Sequence, residues 1–319
     1  MSDWFLPNSF RKESLPIAHA NHIDAHPKAG RGNHAKRGLM AALANAGHRA
    51  IYQSTKKSDY EKALKKPTDL VLAAGGDGTV GKVAHELIDS GIPLSVLPLG
   101  TANNLARTLG FIGSPREIIA GLEAGKRRAF DVGVARGPWG KRYFFESVGG
   151  SLLADYLRNA KGKAKKTAKL SEEQEMRQHV SLLRRILHDY PVRKWKINID
   201  GDDISDDYIL WEAMNIRSVG PALYLASQAA TRDSRLNFVC VREEECSLFM
   251  EYLNARLAGR RAKFPLPLRR FRKSKIVWEN STLHFDDKLW PRKKQKAISP
   301  SEIEITVKPS ALVILQPGR

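Results

Sequence analysis

Cysteine is almost absent from this sequence, and no long apolar run occurs in it. The 319 residues include two cysteines, Cys240 and Cys246, which stand too close together in sequence to form a disulfide framework. No segment approaches the ~20 consecutive apolar residues that a membrane-spanning helix needs. The first residues also lack the basic and apolar regions of a secretory signal. These absences predict a protein of the reducing cytoplasm.

Acidic residues are scarce relative to basic ones. The chain has 34 Asp and Glu against 53 Lys and Arg, which gives a formal net charge of +19 at pH 7. Basic segments lie at residues 161–169 and 260–275, and the second is interleaved with apolar residues such as Phe264 and Phe271. No helix-turn-helix, zinc-finger or RNA-recognition motif accompanies them, so we expect no nucleic acid partner. The segments either dock on an anionic membrane surface, with apolar residues inserted, or are solvated loops.

The hydrophobic pattern changes near Asp131. In residues 1–130, continuous apolar strands alternate with amphipathic helices, which is typical of a parallel sheet covered on both faces. Residues 131–319 contain many short strands, which favour an antiparallel β-sandwich, and one strong helix at 171–190 that starts at a capping-box pattern. We therefore predict an α/β domain, a β-rich domain and a cleft between them. Whether the last residues return to the first domain stays open.

A buried strand that runs into three glycines is the most informative stretch. Residues 70–79 read LVLAAGGDGT. Because Gly75, Gly76 and Gly78 have no Cβ, the backbone there can approach a ligand and aim N–H groups at phosphate oxygens. In open α/β sheets, ligands bind at this carboxyl edge of the strands. Asp77 would hold Mg²⁺ or polarise a hydroxyl, although a plain helix-capping turn is an alternative interpretation.

Two further turns repeat this design. PLGTANNLAR at residues 98–107 and the basic turn HPKAGRG at residues 26–32 each place glycine and polar side chains before a predicted helix. Since the carboxyl ends of parallel strands meet at one edge of a sheet, we expect all three turns to converge there.

GGDGT followed by PLGTANNLAR resembles the diacylglycerol kinase catalytic family, which includes sphingosine and ceramide kinases. HPKAGRG resembles that family's N-terminal turn, and FDVG at residues 130–133 resembles its domain junction. The resemblance implies an ATP-binding α/β domain, a β-rich lipid-binding domain, and transfer of the γ-phosphate of ATP to a lipid hydroxyl in the cleft. It implies ATP and Mg²⁺ as cofactors. The residues that it assigns to the nucleotide are Gly30, Arg31, Thr55, Gly75, Gly76, Asp77, Gly78, Thr79, Gly100, Thr101 and Asn103.

The second half departs from the family pattern at a metal position. Asp233 falls on the aspartate that the resemblance assigns to a structural Mg²⁺, but Ser227 and Ser234 replace a neighbouring proline and glycine. Asp77 and Asp233 are therefore the two expected metal ligands, and the second of them stands in an altered motif.

Two catalytic positions are also altered. FDDK at residues 285–288 stands where the family reads DGE, whose last residue resembles a general base. Lys288 cannot accept a proton while it is charged, so Asp286 or Asp287 would take that role beside Asp77. Asn104 stands where many members have aspartate.

Three functions remain open on the sequence alone. The first is a lipid kinase that associates peripherally with membranes from the cytoplasm and takes a lipid substrate. The second is a NAD kinase-like enzyme, whose fold shares the GGDGT turn, although TANNLAR favours the lipid kinases. The third is a non-catalytic relative that binds nucleotide or lipid and has lost its base. A homodimer formed through exposed strand edges is also left open.

Overall fold

The structure is a computed structural model that describes residues 20–25, 36–57, 59–65, 68–163, 171–260, 262–291 and 299–318. The predicted nucleotide residues Gly30 and Arg31 lie outside the described residues, as does most of the basic segment 161–169. Within the described ranges, no helix is both long and apolar enough to cross a membrane.

The first half is a parallel sheet flanked by helices. Its strands lie in the order β2–β1–β3–β4, and each pairs in parallel with its neighbour because the helices cross between them. Every residue of β3 is buried, as its continuous apolar sequence predicts. The strands are β1 (Ala20–Ala25), β2 (Arg49–Ser54), β3 (Leu70–Gly75) and β4 (Pro93–Pro98). The helices are α1 (Lys36–Asn45), α2 (Tyr60–Leu64), α3 (Asp77–Glu86), α4 (Asn104–Thr108) and α5 (Pro115–Ala120).

In its described residues, the second half is an antiparallel, β-rich layer with three helices, so the predicted fold class is confirmed. Its strands are β5 (Lys126–Gly137), β6 (Gly140–Phe144), β7 (Ser147–Ser151), β8 (Arg193–Ile199), β9 (Asp202–Asp203), β10 (Asp206–Met214), β11 (Leu236–Arg242), β12 (Arg269–Phe271), β13 (Lys273–Trp278), β14 (Leu283–Phe285), β15 (Lys288–Trp290) and β16 (Ser301–Gln316). The helices are α6 (Leu152–Lys163), α7 (Glu172–His188) and α8 (Cys246–Leu257). The strand order β15–β14–β7–β10–β8–β13–β16 brings the β14–β15 hairpin beside β7.

The last strand joins the two halves. β16 pairs in antiparallel fashion with β13 and β5, and its residues Val313 and Ile314 pair in parallel with β4. The predicted seam at Asp131 falls inside β5. The Asp131 carboxylate accepts hydrogen bonds from the Ser234 N–H at 2.7 Å and the Ser310 N–H at 2.8 Å. The last strand therefore joins the first sheet. Asp131 links its own strand, β5, to the segments that carry Ser234 and Ser310.

Two apolar cores flank the antiparallel strands. One core contains large aromatic side chains such as Trp211 and Trp278, and the other lies between the strands and helices α6, α7 and α8. Helix α7 begins at the predicted capping box, in which Ser171 and Gln174 bond reciprocally. Three of its apolar residues, Val180, Leu183 and Leu187, pack into the core.

The apolar residues of the basic segment 260–275 are interior. Phe264 and Phe271 are buried, and both belong to the apolar cores. The expectation that they insert into a membrane is therefore wrong for this conformation, because the same side chains fill the protein core. Of the described basic residues in this segment, Arg269, Arg270 and Lys273 all pair with carboxylates at the surface.

Candidate functional site

Two glycine turns meet at the carboxyl edge of the parallel sheet. Gly76 follows β3, Gly100 follows β4, and a Cβ added to Gly100 would lie 2.5 Å from the Gly76 Cα. Asn103 closes the second turn, since its Oδ1 accepts from the Gly100 N–H at 2.9 Å and its Nδ2 donates to the Gly100 carbonyl at 2.6 Å. Its backbone is left-handed, with φ at 49°. Asn103 thus shapes the turn with both polar atoms of its side chain.

The other described nucleotide residues fall into two groups. Thr55 and Thr79 are buried and line a cleft of about 380 Å³ together with Gly76 and Gly78. Thr101 faces the opposite side, where its hydroxyl donates to the Glu175 carboxylate of α7 at 2.7 Å. The structure therefore brings Thr55 and the GGDGT turn together, and it directs Thr101 towards a different cavity.

Asp77 is held at the first turn of α3. Its Oδ1 accepts from the Leu105 N–H at 3.0 Å, so the aspartate also fixes the start of α4. Burial raises the pKa of the Asp77 carboxyl, although backbone N–H groups of Leu105 and Asn104 oppose this shift by favouring the charged form.

Asp286 is engaged by the backbone. It has a left-handed φ of 51°, and its carboxylate accepts from the N–H groups of Phe145, Glu146 and Ser147 at 2.7 to 3.2 Å. Burial outweighs these bonds and raises its pKa to about 6. Asp287, by contrast, is exposed and lies next to Gly78, where an added Cβ would be 3.1 Å from its Oδ2.

Glu146 is a buried carboxylate that the sequence analysis missed. Its Oε2 accepts from the Asn104 Nδ2 at 3.0 Å, and Asn104 in turn accepts from the Ser218 hydroxyl at 2.9 Å. Burial raises the pKa of Glu146 well above its usual value, and the nearby charges of Asp77, Asp286 and Asp287 raise it further. An amide at position 104 can donate to this carboxylate, whereas an aspartate there would repel it.

A buried pair behind the acidic turn was missed as well. The His284 Nε2 lies 2.6 Å from the Glu212 Oε1, and both side chains are fully buried. The His284 Nδ1 lies 3.0 Å from the Asp286 carbonyl, which can only accept, so Nδ1 is the donor. Burial would lower the pKa of His284, but the Glu212 charge and the hydrogen bonds outweigh it and raise the pKa. The pair holds the turn that carries Asp286 and Asp287.

Three cavities meet at Asp77 and Asp287, which contribute to the wall of each. The glycine-lined cleft described above is one. The second, of about 170 Å³, is mostly apolar and is walled by α6, α7 and the segment around Gly220. The third, of about 270 Å³, lies between α3, β6 and the β14–β15 hairpin. Both halves of the chain contribute walls, so the predicted cleft between the domains exists at this junction.

The sequence matches a known family over the part that carries these turns. The model of the diacylglycerol kinase catalytic domain matches residues 24–135. That part of the chain is therefore similar to the diacylglycerol kinase catalytic domain. The diacylglycerol kinase of Bacillus subtilis is 28% identical over 211 residues, which is 62% of this chain and 63% of that protein. The diacylglycerol kinase of Mycobacterium tuberculosis H37Rv is 26% identical over 184 residues, 57% of this chain and 58% of that protein. The alignments thus span about three fifths of these relatives.

The similarity to solved structures extends beyond residues 24–135. A crystal structure of a diacylglycerol kinase from Bacillus anthracis str. Sterne superposes with a TM-score of 0.68 at 20% identity, and the match covers 93% of this chain and 96% of that one. Yeast NADH kinase is more distant, with a TM-score of 0.51 at 12% identity over 96% of this chain and 84% of that one. The two-domain fold of the Bacillus anthracis structure is therefore present along nearly the whole chain.

Asp233, the expected ligand of a structural Mg²⁺, is engaged by an arginine side chain and a backbone N–H in this structure. The Asp233 carboxylate pairs with the Arg270 guanidinium and also accepts from the Arg235 N–H at 3.1 Å. A cation is therefore already beside it. Among the described residues, no group of three or more His, Cys, Asp or Glu side chains is arranged to hold a metal ion by itself.

Proposed function

We propose that this protein transfers the γ-phosphate of ATP to the hydroxyl of a lipid. The observation that carries the proposal is the junction at Asp77 and Asp287, where an apolar cavity meets a cleft lined by the glycine turn. An acceptor with a hydrocarbon chain and a donor with phosphates can thus be brought together at carboxylates. In-line phosphoryl transfer depends mainly on such positioning and on charge stabilisation.

The glycine-lined cleft is suited to the nucleotide. Gly76 and Gly78 leave the backbone open to phosphate oxygens, while Thr55 and Leu99 provide further wall. Asp77 offers the hard carboxylate oxygens that Mg²⁺ prefers, and Asp287 lies on the wall of the same cleft. A bound Mg²⁺ would neutralise charge on the phosphates, and they would supply its remaining oxygen ligands.

The apolar cavity is suited to the lipid chain. Leu153 and Leu157 of α6 and Met176 of α7 line it, and the Tyr156 hydroxyl lies 3.0 Å from the His179 Nδ1 at its wall. This pair gives the cavity a polar group that can orient a hydroxyl-bearing headgroup. A mostly apolar cavity beside the glycine-lined cleft suits an acceptor with a hydrocarbon chain, and the parallel reaction with NAD described below tests the alternative acceptor.

Asp287 is better placed than Asp286 to accept the proton of the attacking hydroxyl. Asp287 is exposed at the junction of all three cavities, whereas the Asp286 carboxylate is occupied by three backbone N–H groups. Lys288 lines only the third cavity, so it does not stand between the two substrates. These contacts support a catalytic base one residue before the family's usual position.

Incubation of the full chain with γ-labelled ATP, Mg²⁺ and a total lipid extract tests the proposal. We expect label in one lipid class and none in NAD supplied in a parallel reaction. Label in NAD would favour the NAD kinase-like alternative. ATP binding without label in any lipid would favour the non-catalytic alternative.

A further inference from the structure

The third cavity contains a cluster of basic side chains that the proposed transfer reaction has not used. Three lysines, an arginine and a histidine line it, and they come from α3, β6 and β15. Of these, only Lys82 also lines the glycine-lined cleft; the others border the third cavity alone. We define the basic cleft by these residues: Lys82, His85, Lys141, Arg142 and Lys288.

The face of α3 that borders the basic cleft carries few side chains. Gly78, Gly81, Lys82 and His85 follow the spacing of one helix face, and two of the four have no side chain. A glycine inside a helix costs about 1 kcal/mol relative to alanine. At Gly81, packing does not require it, because an added Cβ would meet the Phe145 ring at an ordinary 3.7 Å. The space that Gly81 leaves open belongs to the cavity.

The opposite wall is built to present cations. The Arg142 guanidinium lies over the Phe285 ring, 5.1 Å from its centroid, and Lys141 Nζ donates to the Tyr143 hydroxyl at 2.9 Å. Lys288 follows Asp287 directly, so the basic cleft begins where the two substrates would meet. Ammonium and guanidinium groups that line a cavity of both polar and apolar surface are the usual ligands of phosphate.

We propose that the basic cleft binds phosphate groups of a ligand, with Gly81 kept as glycine to leave room for them. The phosphate is either that of the nucleotide or that of an anionic lipid headgroup, and only this assignment rests on the proposed kinase function. Lys288 thereby acquires a role in binding, at a position where the resemblance implies a base.

Titration calorimetry with inorganic tripolyphosphate tests the site without any transfer reaction. We expect the double variant Lys141→Met and Lys288→Met, which changes only residues that border the third cavity alone, to bind at least about ten-fold more weakly than wild type, equivalent to about 1.4 kcal/mol. The matched control Lys196→Met removes an exposed lysine of β8 and should leave binding unchanged. Equal binding by the double variant and the control would overturn the proposal.

Gly81→Ala and Gly81→Leu provide a test that misfolding cannot imitate. Both residues favour helix more than glycine does, so the melting temperature should rise or stay the same. Tripolyphosphate affinity should nevertheless fall, and more for leucine than for alanine. Unchanged affinity in both variants would contradict a phosphate site beside Gly81.

Parallel titrations identify the source of the phosphate. If ATP affinity falls with tripolyphosphate affinity in the double variant, the basic cleft takes the nucleotide. If ATP affinity is retained and the affinity for dioctanoyl phosphatidic acid falls, the basic cleft takes an anionic headgroup. If the affinities for both ligands are retained, the proposal is wrong. If the protein binds tripolyphosphate but labels no lipid, the kinase proposal is wrong and the proposed phosphate site stands.

Discussion

Asp286 and Asp287 are neighbours in sequence, yet their carboxylates have different surroundings. The first accepts from three backbone N–H groups at the start of β7, and the second is exposed where the cavities meet. Asp286→Ala should therefore lower the free energy of unfolding by about 2 kcal/mol or more, because buried donors lose their acceptor. Asp287→Ala should leave stability within about 0.5 kcal/mol of wild type and remove lipid phosphorylation.

Urea denaturation and a lipid phosphorylation assay on both variants distinguish these roles. Full activity in Asp287→Ala would contradict its assignment as the base. An unchanged unfolding free energy in Asp286→Ala would contradict its structural role.

The raised pKa of Asp286 predicts a pH dependence with a definite sign. Because burial raises its pKa from 3.8 to about 6, the folded protein binds more protons than the unfolded chain between these values. The stability that Asp286 contributes should therefore fall as the pH rises from about 4 to 7. The difference in unfolding free energy between wild type and Asp286→Ala, measured across that range, should shrink with rising pH. A difference that grows with pH would show that the carboxylate is stabilised in its charged form.

Local sequence reveals some of these residues and hides others. Asp77 and the glycines could be predicted because a buried strand running into glycines is a local pattern, and it indicates a backbone that can approach phosphate. Glu146 could not, since its partners Asn104 and Asp286 are 42 and 140 residues away in sequence. His284 and Glu212, 72 residues apart, look like ordinary strand residues until the fold buries them together.

At the scale of elements, the start of α7 can be predicted from local sequence, whereas the pairing of β16 cannot. The capping box of α7 is local, so its first turn could be read directly from Ser171 and Gln174. The parallel pairing of β16 with β4 joins residues such as Val313 and Pro93, and no local pattern specifies a contact over such a separation.

The same helix gives a testable prediction about the apolar cavity. The first turns of α7 carry Glu175, which bonds to Thr101, and Met176, which lines the cavity. Ser171→Ala removes the cap and should cost about 1 kcal/mol, mostly by fraying these turns. Steady-state kinetics should then show a raised KM for the lipid and an unchanged KM for ATP. An increase confined to the KM for ATP would contradict the assignment of the two cavities.

At the scale of the whole molecule, the surplus of positive charge predicts electrostatic association with anionic membranes. The apolar residues of segment 260–275 fill the core, so contact with a bilayer through this segment would be electrostatic. Neutralising the basic residues of 269–275 should weaken sedimentation with anionic vesicles and leave ATP affinity unchanged. Binding by wild type should also weaken with salt, because charges are screened over ~8–10 Å at physiological ionic strength. Sedimentation that neither the substitutions nor salt changes would exclude this docking.

The most direct test of phosphoryl transfer at the cavity junction is the turnover of Asp77→Asn. The amide keeps an oxygen that can accept from the Leu105 N–H, so the thermal transition should stay close to that of wild type. Turnover should be measured on the lipid that gains label from ATP. We expect it to fall more than ten-fold, since a charge that organises the phosphates is lost. A variant that keeps more than about a tenth of wild-type turnover, a loss under about 1.4 kcal/mol, would contradict the account.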